Sequence, residues 1–341
     1  MKRIPRRLWK DWRWQVAHSL CDSASLAAWI PLTKAQQKSI DAVTRFYRMK
    51  ITPYCARLIA EKGHASAFRR QFLPSLEEIR NQEGVCDPKN ERAHMPAESL
   101  CRIYPDRVAF LLTGRCASMC RFCFRKHSVT RRDHRIDRST FSRAIDYIVR
   151  HKNIRDVLLT GGDPLMEDDA FIEKILRALR RIRHVEMIRI GTRVLSTLPQ
   201  RITPALVRMM KRYHPVWINT HFNHPSELTP EVRRAIVLLL EGGFPLNNQS
   251  VLLKGVNDSA SVMKSLIRDL LKARIRPYYL FQGHGVKGGV HFQASVASGK
   301  AIMRTIGSSM TGLGMPRYVI STPQGKIPLV CGCETVPSQA L

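Results

Sequence analysis

The sequence has no long uninterrupted apolar stretch. Its longest purely aliphatic run covers residues 235–240, whereas a membrane-spanning helix needs roughly 20 apolar residues. No apolar segment of the kind found in secretory signals follows the basic N-terminal residues. These absences predict a soluble, cytoplasmic protein without a membrane partner. With 341 residues, of which 44% are hydrophobic, the chain is long enough to bury a substantial core.

Acidic residues are scarce compared with basic ones. The chain has 56 Lys and Arg against 27 Asp and Glu, which gives a formal net charge of +29. Such a charge is compatible with binding to nucleic acid or to an anionic surface. Because the excess is spread along the chain, we interpret it as a basic, well-solvated surface. Nucleic acid is therefore not an expected partner.

The nine cysteines are an odd number. In an apparently cytosolic chain, this argues against a disulfide framework and favours a metal or redox role. Four cysteines stand alone in the sequence, which is typical of small buried apolar side chains: Cys21, Cys55, Cys86 and Cys101.

Short apolar runs alternate with helical periodicity from residue 107 onward, which is typical of β/α units around a parallel sheet. The predicted strands are 108–113, 156–160, 186–191, 216–220, 249–253 and 277–281. Polar clusters follow nearly every strand and no Gly-x-Gly-x-x-Gly follows the first, so a barrel is favoured over an open doubly wound sheet. We predict an α/β fold in three parts: a mostly helical N-terminal extension (1–103), a partial (β/α)6 TIM-like barrel (104–291) and a C-terminal segment that closes the site (292–341).

Cys116, Cys120 and Cys123 follow the first predicted strand at spacings of four and three residues. Three thiolates from one loop can hold a [4Fe–4S] cluster and leave one iron open to an outside ligand. The alternative is a zinc site with His127 as a fourth ligand. The spacing, with Phe122 before the last cysteine, resembles the radical S-adenosylmethionine superfamily.

Gly161, Gly162 and Asp163 follow the next predicted strand. Two glycines allow the backbone to approach a ligand closely. Within the superfamily resemblance, this loop is expected to receive the methionine part of S-adenosylmethionine at the open iron. A Gly-Gly-Asp sequence is also an ordinary turn, so it corroborates the cysteine motif and does not stand alone.

Seven segments in sequence order resemble the lysine 2,3-aminomutase family: 9–15, 104–107, 156–163, 198–204, 216–225, 248–253 and 276–279. These radical S-adenosylmethionine enzymes also use pyridoxal phosphate to move an amino group from C2 to C3 of an amino acid. The resemblance implies an isomerase with three cofactors, namely a [4Fe–4S] cluster, S-adenosylmethionine and pyridoxal phosphate. It also implies an amino-acid substrate and a reductant such as flavodoxin or ferredoxin, and it leaves a homo-oligomer open.

The resemblance further implies roles for individual residues. Lys326 takes the place of the lysine that forms a Schiff base with pyridoxal phosphate. Arg107, Asn248 and Gln249 are expected to hold that cofactor, and His221 is expected near the bound nucleoside.

Arg125 lies two residues after the last cluster cysteine, where the family uses an arginine for the substrate α-carboxylate. A planar guanidinium can bind a carboxylate through two parallel hydrogen bonds. The resemblance therefore implies that any substrate is an α-amino acid.

Two departures from the family pattern concern the far end of the substrate. Lysine-specific members carry two aspartates that neutralise the distal ammonium, and this sequence has His284 and Ser321 in their places. A buried ammonium without a counter-charge is costly. The departures predict that free lysine is a poor substrate and favour glutamate, a neutral amino acid or a modified one.

The zinc-binding tail of the family is also expected to be missing. Ser259 stands where a zinc-binding cysteine is common, and only Cys331 and Cys333 follow Lys326. The rival hypothesis from another class is a radical enzyme that modifies RNA or another macromolecule through its basic surface.

Overall fold

The computed structural model describes residues 4–63, 66–128 and 133–329. Cys331 and Cys333 lie outside the described residues. Across these three ranges, no helix combines the length and the apolar character that crossing a membrane requires.

The N-terminal extension is mostly helical, as predicted. Its helices begin at side-chain caps in most cases; for example, Thr33 and Gln36 form a reciprocal capping box at the start of the fourth helix. Its α-helices within the described residues are α1 (Arg6–Lys10), α2 (Trp12–Ala17), α3 (Ser23–Ala27), α4 (Lys34–Thr44), α5 (Pro53–Lys62), α6 (Ala67–Phe72) and α7 (Glu77–Arg80).

A nine-stranded sheet forms the centre of the described structure, with its strands in sequence order. The strands are β1 (Leu100–Tyr104), β2 (Arg107–Thr113), β3 (Asp156–Gly161), β4 (Met187–Gly191), β5 (Val216–Thr220), β6 (Leu246–Leu252), β7 (Arg276–Gln282), β8 (Arg317–Thr322) and β9 (Gly325–Pro328). Neighbours from β2 to β8 are parallel, whereas β1 and β9 are antiparallel additions at the two edges.

Helices follow the parallel strands and cover the outside of the barrel. In the second of them, Ile172, Ile175, Leu176 and Leu179 are buried on one face, so this face packs towards the sheet. The helices are α8 (Arg138–Arg150), α9 (Asp169–Arg180), α10 (Val194–Thr197), α11 (Pro204–Lys211), α12 (Pro230–Glu241), α13 (Ala260–Lys272) and α14 (Val296–Gly307).

The predicted partial barrel is confirmed, and each of the six predicted strands is present. The structure adds a seventh parallel strand, β8, and the two antiparallel edge strands. Strand β1 crosses the expected boundary at residue 103, and β8 and β9 lie in the expected C-terminal segment. The division into three domains stays a prediction.

The two edges of the sheet meet at Tyr104. The hydroxyl oxygen of Tyr104, on β1, accepts a hydrogen bond of 2.7 Å from the backbone N–H of Lys326, on β9. The neighbouring Gly325 has φ +125°, and a Cβ there would lie 2.9 Å from the same hydroxyl oxygen. Glycine is therefore needed for this close approach, which places Lys326 across the gap in the barrel.

A buried ion cluster joins the helical extension to the cysteine loop. Glu78 accepts hydrogen bonds from Arg121 Nε at 2.9 Å and from Lys126 Nζ at 2.7 Å. Burial alone would raise the pKa of Glu78, but the charges of Arg121 and Lys126 lower it below its usual value. Glu78 is therefore an ionised counter-charge for two buried cations.

We predict that Glu78→Ala destabilises the protein by about 3–5 kcal/mol, because removing one partner of a buried ion pair leaves uncompensated charge. As the matched control, Glu186→Ala removes an exposed partner of Arg155 and should cost at most about 1 kcal/mol. Urea unfolding followed by circular dichroism measures both. Equal losses in the two variants would contradict the role given to Glu78.

Candidate active site

The three cysteines of the predicted cluster motif lie together in the loop between β2 and α8. Burial, together with the neighbouring Cys120, raises the pKa of the Cys123 thiol to about 11. Burial likewise raises the pKa of Cys116 well above its usual value, and the charges of Asp163 and of the other two thiols add to the effect. The loop therefore brings three thiols into one partly buried space, where metal coordination would favour their thiolate forms.

His127, the possible fourth ligand of a zinc site, bonds elsewhere. Its Nε2 lies 2.8 Å from the carbonyl oxygen of Lys287. In the part of the chain that the structure describes, no three Cys, His, Asp or Glu side chains are grouped for a single metal ion. A four-iron cluster spreads its cysteine ligands over a wider space than one ion does.

Arg193, which the sequence reasoning missed, donates a hydrogen bond from Nη1 to Cys120 Sγ at 2.6 Å. Its Nη2 donates to Gln71 Oε1 at 2.6 Å and to Glu227 Oε2 at 3.3 Å. Hydrogen bonds to cysteine sulfur help to set the reduction potential of iron–sulfur clusters. Position 193 gave no sequence signal because its partners lie 34 to 122 residues away.

The Gly161–Gly162–Asp163 loop packs against the start of the cysteine loop. A Cβ at Gly162 would lie 2.3 Å from the carbonyl oxygen of Arg115, so glycine is required there. The Asp163 carboxylate accepts hydrogen bonds from Thr192 Oγ1 at 2.8 Å and from the backbone N–H of Arg193 at 2.6 Å. Asp163 therefore joins this loop to the segment after β4 through hydrogen bonds, and Gly162 allows the loop to pack directly against the backbone of Arg115.

His221 and Phe122 lie side by side next to the cysteine loop, with their ring centroids 5.6 Å apart. Burial and the charge of Arg193 lower the pKa of His221 to about 3. Its Nε2 is 3.1 Å from Asn223 Oδ1. His221 is therefore a neutral imidazole beside the cysteine loop, and its contact with a nucleoside stays a prediction.

Lys326 projects between two aromatic rings. Its Nζ is 5.4 Å from the ring centroid of Tyr104 and 5.3 Å from that of Tyr279. Gln249 is the cross-strand partner of Tyr279, so it lies beside the same space. Burial lowers the pKa of Lys326, and the charges of Lys89, Arg189 and Arg107 also lower it. Together these effects bring the pKa to about 8.

Two arginines flank this lysine in the barrel interior. The guanidinium of Arg107 lies 3.8 Å from the ring centroid of Tyr104. Arg189, which the sequence reasoning missed, forms a 2.8 Å ion pair with Asp156. The structure therefore brings Arg107, Gln249 and Lys326 together, and their role in holding a cofactor stays a prediction.

Asn248 differs from the other expected cofactor residues. Its Oδ1 accepts from the backbone N–H of Phe222 at 2.7 Å, and its Nδ2 donates to the Phe222 carbonyl at 3.1 Å. Side chains alternate along a strand, so Asn247, and not Asn248, shares the face of Gln249. Asn247 Nδ2 donates to Asn219 Oδ1 at 3.2 Å on the next strand. Asn248 holds the loop that carries His221, and Asn247 lies on the same face as Gln249; the cofactor role expected for Asn248 stays a prediction.

Arg125 is buried and already oriented by a carboxylate. Its Nε and Nη2 donate to the two oxygens of Glu91 at 2.7 and 2.8 Å, and its Nη1 donates to the Gly161 carbonyl at 3.2 Å. Burial opposes ionisation of Glu91, but Arg125 and Lys89 lower the pKa of Glu91 to about 2. Arg125 Nη1 also donates to Thr160 Oγ1 at 3.2 Å. Glu91, which the sequence reasoning missed, therefore fixes one edge of the guanidinium, and among the described contacts the second N–H of Nη2 is the donor left for a ligand.

His284 and Ser321, the two expected distal positions, line one cavity of about 310 Å³. Burial and the charge of Lys89 lower the pKa of His284 to about 4. The imidazole is therefore neutral near pH 7. The cavity also has Glu83 and Pro88 in its wall, both from the N-terminal extension.

The profile of the Radical SAM superfamily matches residues 110–265. L-lysine 2,3-aminomutase of Acetoanaerobium sticklandii is 44% identical over 93% of this chain and 77% of that protein. Glutamate 2,3-aminomutase of Clostridioides difficile is 40% identical over 94% of this chain and 77% of that protein. Among solved structures, a radical SAM methyltransferase from Sphaerobacter thermophilus has a TM-score of 0.47 and 20% identity over 64% of this chain and 68% of that one.

These curated relatives carry the names of amino-acid isomerases, which favours the aminomutase over the RNA-modifying enzyme. The similarity extends along nearly the whole chain, and the cysteine loop lies within the matched superfamily region. The chain therefore belongs to the lysine 2,3-aminomutase family of radical S-adenosylmethionine isomerases, whose cofactors are a [4Fe–4S] cluster, S-adenosylmethionine and pyridoxal phosphate.

Proposed function

We propose that this protein is a pyridoxal phosphate-dependent 2,3-aminomutase that acts on an α-amino acid other than free lysine. The observation that carries the proposal is the setting of Lys326: a half-buried amine between two tyrosine rings, beside Arg107 and Arg189. An amine whose pKa is lowered towards neutrality is suited to react with a carbonyl group.

The described residues fit all three cofactors. Three thiols in one loop match the ligand set of a cluster with one open iron. Arg107, Arg189 and the aromatic rings beside Lys326 suit a planar, phosphorylated cofactor. Among the described residues, Asn219 Nδ2 is buried without a hydrogen-bond partner, which leaves a donor on the interior face of β5 for a ligand.

When bound, the cluster and S-adenosylmethionine supply a radical that abstracts hydrogen, and pyridoxal phosphate supplies a carbonyl that condenses with amino groups. The protein's own part is to position groups and to exclude water. We propose that Lys326 loses its proton easily near neutral pH and presents a free amine to the cofactor. Arg125, held by Glu91, would donate its remaining Nη2 N–H to the α-carboxylate and so help to fix the amino-acid end of the substrate. His221, neutral and packed on Phe122, would contact the nucleoside side.

We expect Cys116→Ala, Cys120→Ala or Cys123→Ala to abolish reductive cleavage of S-adenosylmethionine, because each thiol is needed to hold the cluster. Cys21→Ala, at an exposed cysteine, should leave cleavage intact. The measurement is 5′-deoxyadenosine formed by anaerobically reconstituted, dithionite-reduced protein. A triple variant with normal iron content and normal cleavage would overturn the cluster assignment.

We expect Lys326→Ala to lose the covalent pyridoxal adduct and the formation of β-amino acid while keeping its iron. Lys152→Ala, at an exposed lysine, is the matched control. Borohydride reduction followed by peptide mass spectrometry locates the adduct. If the adduct lies on another lysine, the role of Lys326 is wrong; protein that takes up no pyridoxal and binds RNA in a salt-dependent way would support the rival function instead.

Free lysine should be a poor substrate, because His284 is neutral and Ser321 carries no charge. We expect weak activity with lysine in the wild type and partial recovery in a His284→Asp, Ser321→Asp double variant, which restores two negative charges. The specificity constants kcat/KM for lysine, glutamate and alanine provide the measurement. A clear preference of the wild type for lysine would show that other residues neutralise the distal ammonium.

A further inference from the structure

Lys89 places a positive charge beside the cavity that the distal substrate residues line. Its Nζ lies 4.7 Å from the ring centroid of Phe124, and the His284 ring lies 5.9 Å from the same Phe124 ring, centroid to centroid. The preceding residue, Pro88, lines the cavity together with His284 and Ser321. The ammonium group therefore lies near the Phe124 ring, close to the wall of this cavity.

Lys89 and Arg125 share a single carboxylate. Arg125 Nη2 is 2.8 Å and Lys89 Nζ is 3.8 Å from the same oxygen, Oε1 of Glu91. The Arg125 contacts have hydrogen-bond length, whereas the Lys89 distance is beyond it. Glu91 is thus bound mainly by Arg125 and compensates Lys89 only in part.

The charge of Lys89 acts in a low-exposure environment. Its side chain is 19% exposed, and burial lowers the pKa of Lys89 itself. The same charge lowers the pKa of His284 and of Lys326, so Lys89 lies close enough to act on both the distal cavity and the cofactor lysine. A second ammonium in this space would add to an existing excess of positive charge.

We propose that Lys89 binds a carboxylate at the distal end of the substrate, so that this enzyme acts on a short acidic α-amino acid such as glutamate. The inference rests on the proposed function and narrows its substrate class. Arg125 takes the α-carboxylate and Lys89 takes the distal carboxylate. Because Arg125 Nη2 and Lys89 Nζ lie 2.8 and 3.8 Å from one oxygen of Glu91, the two cations are close enough together to suit a short dicarboxylate.

Glu83 is an acidic residue in the cavity wall. Its negative charge would favour a substrate with a cationic distal group. Glu83 is exposed, and its Oε2 accepts a 3.3 Å hydrogen bond from Asn81 Nδ2. Charges in contact with water are screened more strongly than partly buried ones. The charge of Lys89, which is partly buried, is therefore screened less than that of the exposed Glu83.

The test compares Lys89→Met with Lys34→Met, a control at an exposed lysine of the same extension. We expect Lys89→Met to lower kcat/KM for glutamate about 10- to 100-fold, the range for losing a hydrogen bond to a charged group. Lys89→Arg should recover most of this loss. Alanine separates a specific role from a structural one, because it has the α-carboxylate but no distal group: the loss for glutamate should exceed the loss for alanine at least 10-fold.

A second readout does not depend on turnover. Titration of the pyridoxal absorbance with glutamate, without S-adenosylmethionine, measures substrate binding; Lys89→Met should weaken it while keeping its pyridoxal content. Equal losses for glutamate and alanine, or a wild type that prefers lysine, would overturn the role of Lys89 and leave the aminomutase intact. Wild-type protein that forms no pyridoxal adduct and no β-amino acid from any of the three substrates would overturn the proposed function itself.

Discussion

The structure depends on the pairing of buried cations in the cysteine loop with carboxylates of the helical extension. Arg121 and Lys126 contact Glu78, and Arg125 contacts Glu91. Buried charges are tolerated only when they are paired and hydrogen-bonded. The loop that carries the three cysteines therefore depends on the helical extension for its shape.

The same shortage of carboxylates shapes the substrate space. Glu91 must serve both Arg125 and Lys89, and Asp156 is bound to Arg189, so the interior around Lys326 keeps an excess of positive charge. Burial lowers the pKa of Lys326, and this excess of positive charge lowers it as well. Under the proposed function, the same excess would disfavour a cationic side chain in the substrate.

The barrel could be predicted from local sequence patterns, but the long-range side-chain pairs could not. Apolar alternation gave all six predicted strands, and cysteine spacing identified the loop. Strands β8 and β9 form a short hairpin after a long helix, and their pairing with the sheet has little local signal. Glu78 and Glu91 find their partners 34 to 48 residues away, so nothing in the neighbouring sequence marks them. Asn247 and Asn248 are adjacent and chemically identical, and only the strand register decides which faces the interior.

Arg193 bonds to the cysteine loop, to the glycine loop after β3 and to the segment after β5. It donates to Cys120 Sγ and to Glu227, and its backbone N–H donates to Asp163. Glu227 in turn accepts from the backbone of Asn223, two residues after His221. The cysteine loop, the glycine loop and the His221 loop are therefore held by one network of buried hydrogen bonds. Because Arg193 and Glu227 each bond to more than one loop, a change in one loop should alter the hydrogen bonds of the others.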